Sequence, residues 1–203
     1  MSIRHVRLCD VLGRSRLEEA LQILGARLLA RGMEYDLVAI GGGSLLLQQL
    51  GIRPTQDLDV IAIVEAGEWH KADPLPAPLA EEVSLVAEAM GLDPNWLNSA
   101  AASVMDNGLP EGFGDRVEVQ NYGGLTLRVA GRFDQICFKL HAAVDRGELQ
   151  GKHIDDLRAL RPAPEELIAA ARWATTHDPS EGFRSQLILL LAILGVPNAE
   201  QQL

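Results

Sequence analysis

Three consecutive glycines, Gly41, Gly42 and Gly43, leave this chain few ways to fold around them. Ahead of them, residues 37–40 (LVAI) form an apolar run with the length and composition of a buried strand. Behind them, Ser44 opens a second apolar segment that ends at Gly51, which reads as a short helix closed by a glycine cap. A polar turn, Arg53-Pro54-Thr55-Gln56, leads through Asp57-Leu58-Asp59 into another strand over residues 60–64. Side chains alternate along a strand, so Asp57 and Asp59 share one face, and Leu58 and Val60 share the other.

The same pattern carries chemistry. Glycines lack Cβ, so their backbone can approach a ligand closely and adopt positive φ. Ser44 at a helix start stands where free N–H groups and the helix dipole favour phosphate. Two carboxylates side by side repel each other unless a cation stands between them, and a hard, oxygen-seeking ion such as Mg2+ suits that place. A solvated strand end is the commoner fate of an acidic pair, and it is the glycine turn upstream that favours metal ligation here. A phosphate-cradling turn followed by a metal-binding pair describes a nucleoside triphosphate site. It is not a P-loop, because no Gly-Lys-Ser/Thr ending follows the glycines. It is not a dinucleotide fingerprint either, since Leu46 occupies the last glycine position and the acids open the second strand instead of closing it.

Gly42-Gly43-Ser44, a short helix and Asp57-x-Asp59 on the next strand resemble the signature of the polymerase-β-type nucleotidyltransferase superfamily. The fuller pattern Arg53-x-Thr55-x-Asp57-x-Asp59 is similar to the AbiEii-like branch, which includes toxin components of bacterial toxin–antitoxin pairs. Lys139-Leu-His-Ala142, Arg146, Lys152 and Asp156-Leu157 follow in the branch's order, and Trp96-Leu97-Asn98 also resembles a recurring feature of it. The chain departs at His153, where the branch usually carries an aspartate. The resemblance implies that Asp57 and Asp59 hold Mg2+ and that Lys139 and Asp156 serve catalysis. It assigns nucleotide binding to Gly42, Gly43, Ser44, Arg53, Thr55, Arg146 and Lys152. Many members of the superfamily use a third carboxylate, for which Glu118 is the candidate. The implied activity is transfer of a nucleoside monophosphate from an NTP to a hydroxyl of RNA, with tRNA the expected acceptor and an antitoxin protein the expected partner. Read without the resemblance, Lys139 on an amphipathic helix can face water, Arg146 and Lys152 can be surface groups, and Asp156 can cap a short helix.

The rest of the chain supplies a scaffold. Ser15 with Glu18 has the form of a capping box, and Leu17, Ala20, Leu21, Leu24 and Leu28 follow at helical spacing. Residues 65–77 read as a loop around Trp69-His70-Lys71, and residues 78–90 as a helix closed by Gly91. Asp93-Pro94 marks another helix start that carries Trp96 and Leu97 toward residue 106. Residues 117–120 and 125–129 pair as a hairpin. Helices over 133–146, 155–160, 165–174 and 183–194 complete the chain, with the three tryptophans in or near the core. The five histidines show no ligand spacing.

The expected fold is α/β (α+β): a nucleotidyltransferase-like mixed sheet flanked by helices over residues 1–162, then a helical C-terminal part over residues 163–203, with the seam at Pro162-Ala-Pro164. Cys9 and Cys137 are too few for a disulfide framework, and the opening residues lack an apolar signal segment, so a cytoplasmic location is expected. Residues 187–194 are strongly apolar but far short of the ~20 residues a membrane span needs. The net charge of −10 argues against nucleic-acid binding over the whole surface, though not in one basic groove. Two other readings remain open: a catalytically inactive binding or regulatory protein of the same fold, and an antibiotic nucleotidyltransferase of aminoglycoside type, whose cationic acceptor suits an acidic protein.

Overall fold

The structure, a computed structural model, describes residues 11–51 and 53–203. The reading of the first residues as free of a signal segment and the assignment of Cys9 lie outside the described residues. Among the described residues are seven α-helices and a mixed sheet of six strands, an α+β fold. The chain forms two compact units: the stretch up to Asp106 with Val117–Ala130, and Asn107–Arg116 with Gly131–Leu203.

In the first unit, the leucine stripe on α1 (Arg14–Ala30) is buried at Leu17, Leu21, Leu24 and Leu28, as its spacing requires. The capping box does not form. Gly13 is the N-cap without a side-chain bond, and Glu18 instead pairs with Arg14 one helical turn back at 2.9 Å. β1 (Tyr35–Ile40) lies antiparallel to β2 (Leu58–Glu65) and parallel to β6 (Leu125–Val129). β5 (Glu118–Asn121) closes one side of the sheet against β6, and β3 (Glu68–Lys71) pairs with β2 on the other. The strand order is β3-β2-β1-β6-β5. Leu37, Ala39, Leu58, Val60, Leu125, Leu127 and Val129 form the sheet's contribution to a core completed by α1 and α3 (Ala77–Met90). Gly25 lets α1 ride directly on the β5–β6 hairpin, since a Cβ there would collide with the Tyr122 carbonyl.

Two expectations fail here for local reasons. Residues 65–77 are not all loop. Ala66 and Gly67 both take positive φ, 51° and 85°, the geometry of a tight hairpin turn, and β3 follows it. Asp93-Pro94 starts no helix, because the Asp93 carboxylate accepts the Asn95 amide at 2.8 Å and closes a turn. Beyond it lie a two-residue strand, β4 (Leu97–Asn98), and a short 3-10 helix over Ala102–Met105. Glu82 of α3 is fully buried between Arg27 (2.6 Å) and Arg31 of α1. Those two guanidiniums, Arg31 foremost, hold its carboxyl below the usual range against the opposing effect of burial.

The second unit is built on α4 (Arg132–Asp145), which buries Ile136, Cys137, Phe138, Leu140, Ala143 and Val144. Around it pack α5 (Lys152–Leu160), α6 (Pro164–His177) and α7 (Glu181–Ile193). The sheet-bearing unit therefore ends at Ala130, earlier than the proline break at 162/163, because α4 and α5 group with the C-terminal helices. Asp134 is fully buried in the first turn of α4, where the Arg116 guanidinium reaches it through two hydrogen bonds of 2.6 and 3.0 Å. Burial nonetheless pushes its carboxyl above the ordinary value.

Candidate functional site

The strand–glycine–helix–strand unit forms as its sequence demands, but the glycines serve the chain itself. Helix α2 (Gly41–Leu47) begins directly at the end of β1, so the triplet is its first turn. Gly41 takes φ +81°, and a Cβ on it would lie 2.5 Å from Asp59 Oδ2. A Cβ on Gly42 would lie 2.8 Å from Thr55 Oγ1, and one on Gly43 would lie 2.8 Å from the Asp57 carbonyl. All three positions are glycine because the segment from Thr55 to Asp59 is packed onto the turn. Ser44 is not at the helix start. It is fully buried in the fourth position of α2, and its hydroxyl donates to the Ala39 carbonyl at 3.0 Å. Its side chain is thus spent on the turn. Gly51 does not cap α2 either; the helix ends at Leu47 with Gln48 as C-cap.

Asp59 sits across from Ile40 in the β1–β2 ladder, level with the start of α2. Asp57 stands just ahead of β2, and both aspartates are half-buried. Leu58 between them is fully buried in the core, as alternation predicts. Thr55 is buried and exchanges backbone hydrogen bonds with Leu12 at 2.7 and 3.0 Å, which fixes the approach to the pair. Arg53 is half-buried, with its guanidinium 3.4 Å from the Pro54 carbonyl.

Glu118 does not join them. It stands opposite Val129, in the row that continues through Ala39 to Val60. Three strand spacings separate it from β2, about 14 Å. That row also faces the core side, opposite to Asp59, and Gln120 donates to the Glu118 carboxylate at 3.0 Å. Among the described residues no three His, Cys, Asp or Glu side chains converge to hold a metal ion.

The second unit gathers the downstream residues around α4 and α5. Lys139 Nζ lies 2.8 Å from Asp156 Oδ2, and both side chains are almost fully buried. Beside them His153, 7% exposed, accepts a hydrogen bond from Arg146 at its Nε2, 2.9 Å away. A guanidinium has no acceptor, so Nδ1 carries the imidazole proton, and this N–H is buried without a hydrogen-bond partner. Burial first, then the charges of Lys139, Arg146 and Lys152, push the His153 pKa down to about 3, so the ring is neutral. Arg146 and Lys152 are exposed. His153, which shows no ligand spacing in the sequence, is the hub of this cluster; its place at helical spacing from Asp156 is the signal the sequence offers.

Compared with known protein families, curated proteins and solved structures, the chain matches none. No described helix is long and apolar enough to cross a membrane. The site's meaning rests on its own geometry. One element escaped the sequence reading: β4 pairs with β2 in parallel, Leu58 against Leu97 and Asp59 against Asn98, and so brings Asn98 beside Asp59.

Proposed function

We propose that this chain is a nucleotidyltransferase-type protein of the AbiEii-like kind, with a Mg2+-dependent nucleotide site at Asp57 and Asp59. The observation that carries the reading is the seating of Asp59 against the Gly41 turn, which puts a half-buried carboxylate at the mouth of a strand–helix corner with no side chain between. Two half-buried carboxylates two residues apart at the start of β2 offer hard oxygen donors of the kind Mg2+ takes, an ion that keeps several waters and shares its shell with substrate phosphates. A divalent ion held there would lower the pKa of the attacking hydroxyl and offset phosphate charge. In the reaction the acceptor hydroxyl oxygen bonds to the α-phosphorus, the bond to the bridging oxygen breaks, and pyrophosphate leaves.

The chain's own residues set the geometry. Thr55 and the glycine turn hold Asp57 and Asp59 in place, and Ser44 secures the turn through Ala39. Any phosphate contact from Gly42 to Ser44 is through backbone N–H groups. Lys139 and Asp156 neutralise each other inside the helical unit, which assigns them a part in holding α4 to α5. The acceptor in this reading is RNA, with tRNA first to be tried, and the cellular partner is an antitoxin protein. The test is incubation with each of four α-labelled NTPs, Mg2+ and total tRNA, beside an Asp59→Ala control. Label on RNA from wild type alone supports the reading; absence of both label and Mg2+-dependent NTP binding sinks it.

A further inference from the structure

We propose that Asn98 is a positioning residue of the acid pair, supplying a neutral oxygen to the water shell of a divalent ion held by Asp57 and Asp59. The inference rests on the metal reading above and adds a residue to it.

The β2–β4 ladder places Asp59 directly against Asn98. Paired residues in a ladder share a face and stand about 5 Å apart. Leu58 and Leu97, the neighbouring pair, are both buried in the core, so Asp59 and Asn98 both face the other way, where both are half-buried. On its other side Asp59 faces Ile40, which is apolar, so Asn98 is the polar neighbour that the sheet supplies.

The Asn98 amide is held in place. Its Nδ2 donates to the Asn95 carbonyl at 3.0 Å, and its Oδ1 accepts the Ala100 amide at 2.8 Å. Each hydrogen bond uses half of what the group offers, leaving one N–H and one oxygen lone pair. The segment is itself anchored. Trp96 is fully buried, its indole N–H donates to the Val83 carbonyl at 3.1 Å, and its own carbonyl accepts the Leu58 amide at 2.7 Å. A two-residue strand contributes little to a sheet's stability, yet this one is tied to the strand that carries the aspartates at Leu58 and to α3 at Val83. Outer-shell groups that orient ligands commonly change metal affinity by about 10- to 100-fold when removed.

The test is Mn2+ binding, followed by the loss of the free ion's paramagnetic resonance signal, with the Asp57→Ala/Asp59→Ala double variant as background. Asn98→Ala is expected to weaken the specific binding about tenfold. Asn98→Asp keeps an oxygen for the Ala100 amide and adds a negative charge beside Asp59, so it is expected to bind Mn2+ more tightly than wild type. A residue that only shapes the turn would not give that gain, and urea unfolding of each variant separates affinity from folding. Wild-type affinity in both variants overturns the role of Asn98 while leaving the acid-pair reading standing. Wild-type protein no better than the double-alanine background overturns the acid-pair reading, and the inference with it.

Discussion

Replacing His153 with Gln should change how stability depends on pH, and the size of the change follows from the burial of the ring. The folded protein holds the His153 pKa at about 3, against an ordinary value of 6.5. A histidine with a depressed folded value leaves stability intact above its unfolded pKa. As pH falls through 6.5 the unfolded chain takes up a proton that the folded chain refuses, and stability drops until the pH reaches the folded value. Each pH unit in that window costs about 1.4 kcal/mol, so falling from about pH 7.5 to about pH 5 removes about 2 kcal/mol through this ring alone. Glutamine does not titrate, and its amide oxygen can still accept from Arg146. Wild type should therefore lose about 2 kcal/mol more than the variant over that range, about 1 M in urea midpoint for an m-value of about 2 kcal/mol per M. Urea titrations of both proteins at matched pH values measure it. If the two curves stay parallel, His153 titrates in the folded state like an exposed imidazole, and the buried, neutral ring with Nδ1 protonated is wrong.

Substitutions at three other contacts test each of them separately. Gly25→Ala places a methyl against the Tyr122 carbonyl, so it should destabilise by at least the ~1–3 kcal/mol of ordinary overpacking, read in a thermal melt. Lys139→Met or Asp156→Leu alone strands a buried charge and should cost about 3–5 kcal/mol. The double substitution should recover most of that loss, and a double-mutant cycle in urea without a large coupling term would contradict the buried pair. Glu82→Gln removes a carboxyl whose pKa is held low by Arg31 and Arg27, so stability present above the unfolded carboxylate range and lost as pH falls should vanish from the acid limb. Acid unfolding followed by circular dichroism checks it, and an unchanged acid limb would show that Glu82 is not the group responsible.

Much of the sheet-bearing unit is legible from short-range pattern. The stripe of Leu17, Leu21, Leu24 and Leu28, the alternation around Leu58 and Val60, and the β5–β6 hairpin all depend on neighbours within a few residues, and all appear at their expected positions. The glycine triplet was also legible, but its cause was not. Its crowding against Thr55 and Asp59 depends on a chain segment that returns a dozen residues later. Residues 93–98 failed because proline after aspartate is equally at home in a turn, and only pairing with β2 decides that Leu97 and Asn98 extend. Glu118 failed for a different reason: alternation along one strand says nothing about how many strands lie between two carboxylates. Glu82 and His153 could not be read as buried, because their partners on α1 and α4 are set by packing between helices.

The outer edge of β2 is tiled by two short strands, β3 along Ala62–Glu65 and β4 along Leu58–Asp59. An incoming chain therefore finds no open ladder on the strand that carries the acids. Among the described residues the strand order ends on β3, where Glu68 and Lys71 are exposed, and on β5, where Glu118 and the exposed Val119 lie. Charged side chains on both margins discourage edge-to-edge aggregation of the native protein. Where strand addition does occur, as in a concentrated solution or a partly unfolded ensemble, β5 with its apolar Val119 is the more inviting of the two margins, and it lies three strands from Asp59.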